Sequence, residues 1–206
     1  MEPTNRFVYG TQYYRPPFPD RFHWREDLAC IRDNSFNTVK LWAVWSWIEP
    51  SCGQYRFDDL DELVDLCQEV GLDVVLNLIP EGMPYWFFAL HPDARYRMAD
   101  GQVVEQSGAA NLPSGGSPGL CADKADVQAA IGGFLDAVVR RYQAHPAVKV
   151  FDVWNEPHME PIWDYPRALF CYCEHSQARF RNWLQRLYGD LQVLNATWMR
   201  AYGSWE

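Results

Sequence analysis

Four short apolar runs, each followed by a helical stripe, constrain this chain more than any other feature. The runs are 7–14 (FVYGTQYY), 38–44 (TVKLWAV), 72–79 (LDVVLNLI) and 148–154 (VKVFDVW). The second and third are nearly continuous in apolar and β-branched residues, the pattern of strands covered on both faces. Between them lie segments of period 3.6. Trp24, Leu28 and Ile31 begin one, and Leu60, Leu63, Val64, Cys67 and Val70 form a second, with Asp58 as expected N-cap and Gly71 as expected stop. Val127, Ile131, Phe134, Val138 and Tyr142 form a third behind Asp123, and Phe180, Trp183, Leu184 and Leu187 a fourth. Strand–helix alternation at this spacing predicts βαβ units and a parallel sheet.

Two architectures use such units. A dinucleotide-binding sheet is disfavoured, because no G-x-G-x-x-G follows the first run. The expected fold class is therefore α/β, a (β/α)8 TIM barrel. That fold takes about 250 residues, and only four strands fit in these 206. Residues 1–206 are thus expected to form the N-terminal part of a barrel domain, roughly its first four βα units. Half a barrel leaves two open sheet edges and an uncovered apolar interior, so the chain made alone is expected to self-associate.

Charge and composition narrow the partners. The chain carries 27 acidic against 18 basic residues, a net charge of −9, which argues against nucleic acid or an anionic membrane. No apolar stretch reaches membrane-spanning length, and the start, MEPTNRFVYG, is not a signal peptide, so a cytoplasmic location is expected. Ten Trp suit a carbohydrate site, since indole faces stack on sugar C–H faces; they equally suit packing. Trp45, Trp47, Trp86 and Trp163 fall near expected strand ends, and Trp45 is the candidate sugar platform among them.

The chemistry concentrates at Val153-Trp154-Asn155-Glu156-Pro157. Barrel enzymes keep their sites at the C-terminal ends of the strands, and this motif ends the fourth. A carboxyl there, walled by Trp154, would hold a proton at neutral pH and could donate it to a glycosidic oxygen. Asn155 supplies a donor for a ring hydroxyl. A retaining mechanism needs a second carboxylate about 5–5.5 Å away. Glu81, after the third strand, is a substrate-binding or supporting candidate rather than that nucleophile, and Glu49 is expected to anchor a loop. His158, just after the motif, is a further substrate-contact candidate, whereas His23, His91 and His145 are expected to be structural. The segment 91–121, rich in Gly, Pro and Ser, follows the third strand on the same face and is expected to be functional.

These residues sit in longer blocks: YGTQYY, WSWIEP followed by G-x-Y-x-F-D, MPYWFFALHPDARYRMADG, WNEP and CYCEHSQARFRNWLQRLYGDLQVLNATW. Together they resemble glycoside hydrolase family 42, mostly β-galactosidases, along nearly the whole chain. The resemblance implies that Glu156 is the acid/base, that Asn155 binds substrate beside it, and that the nucleophilic Glu lies on a seventh strand beyond Glu206. It implies a β-galactoside or related oligosaccharide as substrate, no cofactor for catalysis, and a homotrimeric parent. It also implies a structural zinc on four Cys, of which Cys121, Cys171 and Cys173 are present while Ser176 stands in the fourth place, with water or His175 as alternative fourth ligands. Two other departures bear on the sugar: Ser117 replaces an Arg, and Trp42 stands where many members carry Glu. They keep open a β-glycosidase of other specificity. An inactive sugar-binding fragment is the remaining alternative, since the nucleophile is not among these residues. Cys67, on an apolar helix face, is expected to be core.

Overall fold

The structure is a computed structural model that describes residues 7–104, 118–155 and 171–206. Its backbone falls into two compact units.

The first unit holds described residues 7–91, 118–119 and 130–155. It contains a four-stranded parallel sheet of β1 (Gly10–Tyr14), β2 (Thr38–Val44), β3 (Asp73–Ile79) and β4 (Val148–Val153), in the order β1-β2-β3-β4. Sequential parallel neighbours joined through helices are the arrangement expected for the first strands of a (β/α)8 barrel. The connecting helices are α1 (Trp24–Asp33), α2 (Trp45–Ile48), α3 (Asp58–Val70) and α4 (Tyr85–Leu90), followed by the larger part of α5 (Ala125–Tyr142).

β2 and β3 are buried almost throughout, which is why they read as unbroken apolar runs. α3 buries Leu60, Leu63, Val64, Leu66 and Cys67, and Gly71 ends it at φ +82°, in the left-handed region where a Cβ would be strained. Cys67 is fully buried, and burial pushes its thiol up to about 12. α5 faces the core with Phe134 and Val138, both fully buried. Its Arg141 binds Asp61 on α3 (Nε to Oδ1, 2.7 Å), and the Tyr142 hydroxyl donates to the same carboxylate at 2.8 Å.

Several boundaries differ from the sequence expectations. The first strand begins at Gly10, not at residue 7, and Phe7, Val8 and Tyr9 are exposed. Asp58 is the first residue inside α3, with Phe57 in the cap position. α5 starts at Ala125, two residues after Asp123. The fourth strand stops at Val153, because Trp154 turns to φ +70°.

The second unit holds described residues 92–104, 120–129 and 171–206. A small bridge joins Arg97 to Val103, and the Cys121 amide donates to the Ala94 carbonyl at 2.8 Å. α6 (Glu174–Tyr188) and α7 (Leu191–Trp198) follow. The Asp190 carboxylate caps α7 by accepting from the Gln192 amide. The stripe on α6 has helical spacing but is not a buried face: Leu184 is covered, whereas Phe180, Trp183 and Leu187 are about half exposed, with Phe180 stacked on Trp183. Among the described residues, no helix is long and apolar enough to cross a membrane.

Candidate active site and thiol cluster

In-register pairing sets Trp42 of β2 beside Asn77 of β3, and Asn77 beside Asp152 of β4. Residues paired this way point to the same face of the sheet. Polar side chains inside otherwise apolar strands must find partners, and here they find one another. The Trp42 indole N–H can only donate and the Asp152 carboxylate only accepts. We therefore assign the Asn77 amide with its oxygen toward Trp42 Nε1 (3.2 Å) and its nitrogen toward Asp152 Oδ2 (3.2 Å). Lys40, two residues before Trp42, completes the group. Its Nζ lies 2.7 Å from Asp152 Oδ2 and 3.3 Å from Asn155 Oδ1. The Asn77 amide is also 3.3 Å from Asn155 Oδ1. The atom that faces Asn155 is the one that faces Trp42, so in the assigned orientation it is an oxygen and cannot donate. The Asn77 oxygen therefore favours the NH2 end of Asn155 at this point, and the Lys40 ammonium, which can bond only an oxygen, is the group that holds the Asn155 oxygen there against it.

The turn that delivers Asn155 is strained. Trp154 has φ +70°, an uncommon conformation for a bulky residue that costs on the order of 1–3 kcal/mol. Its amide still closes the ladder by donating to Leu78 O at 3.1 Å. Such outliers persist where the surroundings over-determine them, and they cluster at working sites. Glu156, His158 and Trp163 lie outside the described residues, as does Ser117.

Glu81 follows β3 at the same strand ends. Its carboxyl has one oxygen, Oε2, buried without a hydrogen-bond partner among the described residues. Burial pushes this carboxyl up to about 7, against a smaller lowering from its own backbone N–H. Gly119, at φ +83°, packs close to the Glu81 backbone: a Cβ there would meet the Glu81 carbonyl oxygen at 3.0 Å. Glu49 anchors its loop as expected, accepting from Trp45 Nε1 at 2.6 Å and from the Gly53 amide at 2.8 Å. Trp45 itself is only 1% exposed, stacked on Phe134 and tilted against Phe87. Its indole is committed to packing, the alternative that Trp richness also allows.

In the second unit, the sulfurs of Cys121, Cys171 and Cys173 lie within 4.8 Å of one another. Cys121 and Cys173 are buried and Cys171 partly so. Ser176 Oγ is 3.1 Å from Cys121 Sγ and 3.6 Å from Cys173 Sγ. Cys173 also caps α6, its sulfur accepting from the Ser176 amide. Cys171 Sγ accepts from the Cys121 thiol and from the amides of Arg97 and Cys173, which holds it well below an ordinary thiol, while Cys121 is correspondingly raised. The donor set fits a thiophilic cation through three sulfurs. The Ser176 hydroxyl stands beside two of these sulfurs, and the His175 Nε2 lies 3.7 Å from Asp93 and 3.8 Å from Glu174.

A sheet of consecutive parallel strands, with a polar cluster at the carboxyl end of its fourth, is a frame that several families share, and comparison with known proteins separates them. The glycoside hydrolase 42 family model, described as beta-galactosidase, matches residues 13–206. The chain belongs to that family. Among its relatives, the beta-galactosidase LacZ of Lactobacillus acidophilus is 27% identical over 201 residues, covering 96% of this chain and 27% of that protein. Of solved structures, the beta-galactosidase of Halorubrum lacusprofundi superposes with a TM-score of 0.77 at 27% identity, covering 97% of this chain and 28% of that one. The beta-galactosidase of the psychrophilic Marinomonas ef1 gives 0.77 at 25%, covering 97% and 29%. The chain thus spans under a third of the length of these family 42 relatives. The sequence signals that could have exposed the Lys40–Asn77–Asp152 group were present: each is a polar residue interrupting an apolar strand run.

Proposed function

We propose that residues 1–206 form the N-terminal part of the catalytic barrel of a retaining β-galactosidase. The observation that carries this is the Trp154-Asn155 corner: a strained turn at the carboxyl end of β4 that presents an amide fixed by a lysine. Glu156, next in sequence, is assigned as acid/base. It protonates the leaving glycosidic oxygen while a glutamate outside these residues attacks the anomeric carbon, and it then deprotonates the water that releases the sugar. Asn155 and Trp154 contact the substrate beside it, and Glu81, which burial raises to about 7, is in its protonated form a donor toward a sugar oxygen. Trp45 contributes packing against Phe87 and Phe134. The family's curated relatives are named beta-galactosidases, which favours a β-galactoside substrate. The proposal extends to a homotrimeric parent in the cytoplasm, with no cofactor for catalysis. The Cys121, Cys171 and Cys173 thiolates are assigned to a structural zinc.

The test is Glu156→Gln in a full-length enzyme carrying this sequence. Activity on poor leaving groups should fall far more than on activated aryl galactosides. Equal losses on both would overturn the acid role.

One observation favours a second reading, in which the same chemistry acts on another β-glycoside. The Arg15 guanidinium lies 3.7 Å over the Trp42 ring, at a position where many relatives are expected to carry Glu. A panel of aryl β-glycosides discriminates: galactoside ranking low would favour this alternative.

A further inference from the structure

Lys40 lies on β2, distant in sequence from the β4 corner whose amide it meets. Its ammonium bridges the Asp152 carboxylate (2.7 Å) and the Asn155 side-chain oxygen (3.3 Å). The Lys40 side chain is 28% exposed and that of Asp152 38%, so the pair is partly withdrawn from water. An ammonium has three donors and no acceptor, so it can hold only the oxygen end of the Asn155 amide. That fixes the rotation of the amide and leaves the NH2 end for another partner. Asn77 opposes Lys40 in this role: its oxygen, which accepts from Trp42, lies 3.3 Å from the same Asn155 atom and would accept from the NH2 end were the amide turned.

We propose that Lys40 is a positioning residue for the reaction: through the Asn155 oxygen it turns the Asn155 NH2 into a donor aimed at a ring hydroxyl of the sugar. Asp152 in turn holds the ammonium, and the Asn77–Trp42 pair holds Asp152. The chain of contacts runs across three adjacent strands, so the amide of β4 is set by β2 and not only by its own turn. Without the lysine, the amide can present either end, and an oxygen facing the hydroxyl forfeits the donor. A hydrogen bond to a sugar hydroxyl that tightens in the transition state is lost from kcat more than from KM.

This inference rests on the retaining glycosidase reading, and a double-mutant cycle on a full-length enzyme carrying this sequence tests it. The variants are Lys40→Met, Asn155→Ala and both together, read as kcat and KM on an aryl β-galactoside. Lys40→Met should lower kcat/KM roughly 10- to 100-fold, mostly in kcat. In the Asn155→Ala background, the same change should cost no more than about twofold further. Because Lys40→Met leaves Asp152 without its cation, Lys40→Met/Asp152→Asn is made in parallel and should show the same kinetic loss with an unchanged melting temperature. Losses that multiply across Lys40 and Asn155 would overturn the proposal, as would a charge-neutral double variant that fails to fold. A parent enzyme inert on every aryl β-glycoside would overturn the glycosidase reading and the role of Lys40 with it. Activity in the parent with multiplying losses would sink Lys40 alone.

Discussion

The Ser176 hydroxyl lies 3.1 Å from the Cys121 sulfur, although 55 residues separate them in sequence. It also lies 3.6 Å from the Cys173 sulfur, beside the cluster of Cys121, Cys171 and Cys173. Zinc prefers four strong ligands in a closed tetrahedral site, and a neutral hydroxyl is a poorer one than a thiolate. Ser176→Cys is expected to raise zinc affinity by at least tenfold, measured by competition against a chromogenic chelator at fixed pH. Cobalt substitution should add thiolate charge-transfer intensity in the variant. Equal affinity for both proteins would argue that the cluster is a set of free thiols.

Glu81 gives a pH signature. Its carboxyl is raised toward about 7 by burial, from the ordinary glutamate value near 4.3. A carboxyl raised in the folded state binds its proton more tightly there than in the unfolded chain. Its stabilising contribution is therefore complete below pH 4 and is lost as pH climbs through about 7. Glu81→Gln should remove this slope, so that the variant gains on the wild type in urea midpoint between pH 5 and pH 8. A constant difference over that range would show that Glu81 ionises normally.

Asp61 works in the opposite direction. Burial raises its carboxyl, but the bonds from Arg141 and Tyr142 outweigh burial and leave it below the usual aspartate value. The stability it supplies is present above about pH 4 and is lost on acidification through the depressed value. Asp61→Asn should cost about 1 kcal/mol at pH 7, given the partial exposure of the pair, and converge with the wild type near pH 2. Urea unfolding at the two pH values measures this, and a loss that persists at pH 2 would point to packing instead.

The two edge strands carry the remaining expectation. On β4, Val150 and Val153 are 48% and 54% exposed. Unpaired strand edges and bare valines recruit other chains. Residues 1–206 made alone should elute as oligomers whose size grows with concentration, read by light scattering. A concentration-independent monomer with a cooperative melt would contradict this.

Much of the fold was legible because strand and helix periods are local properties. The apolar runs of β2 and β3 and the stripe of α3 mark their own burial, and Gly71 marks its own turn. The exposed aromatic face of α6 was not legible, because periodicity reports a stripe and not what covers it. Trp45 could be placed near a strand end, but whether its indole met sugar or Phe134 depended on a helix some 90 residues later.

The sequence by itself determined the order of elements, the family blocks and the Trp-Asn-Glu-Pro corner, since each is written in neighbouring residues. Only the tertiary structure decided that Lys40 and Asn77 meet both Asp152 and Asn155, and that the sulfurs of Cys121, Cys171 and Cys173 gather at one place. The reason is geometric. Strand register brings distant polar residues to one rung, and loop closure brings distant sulfurs to one point, and neither leaves a mark on the residues beside it.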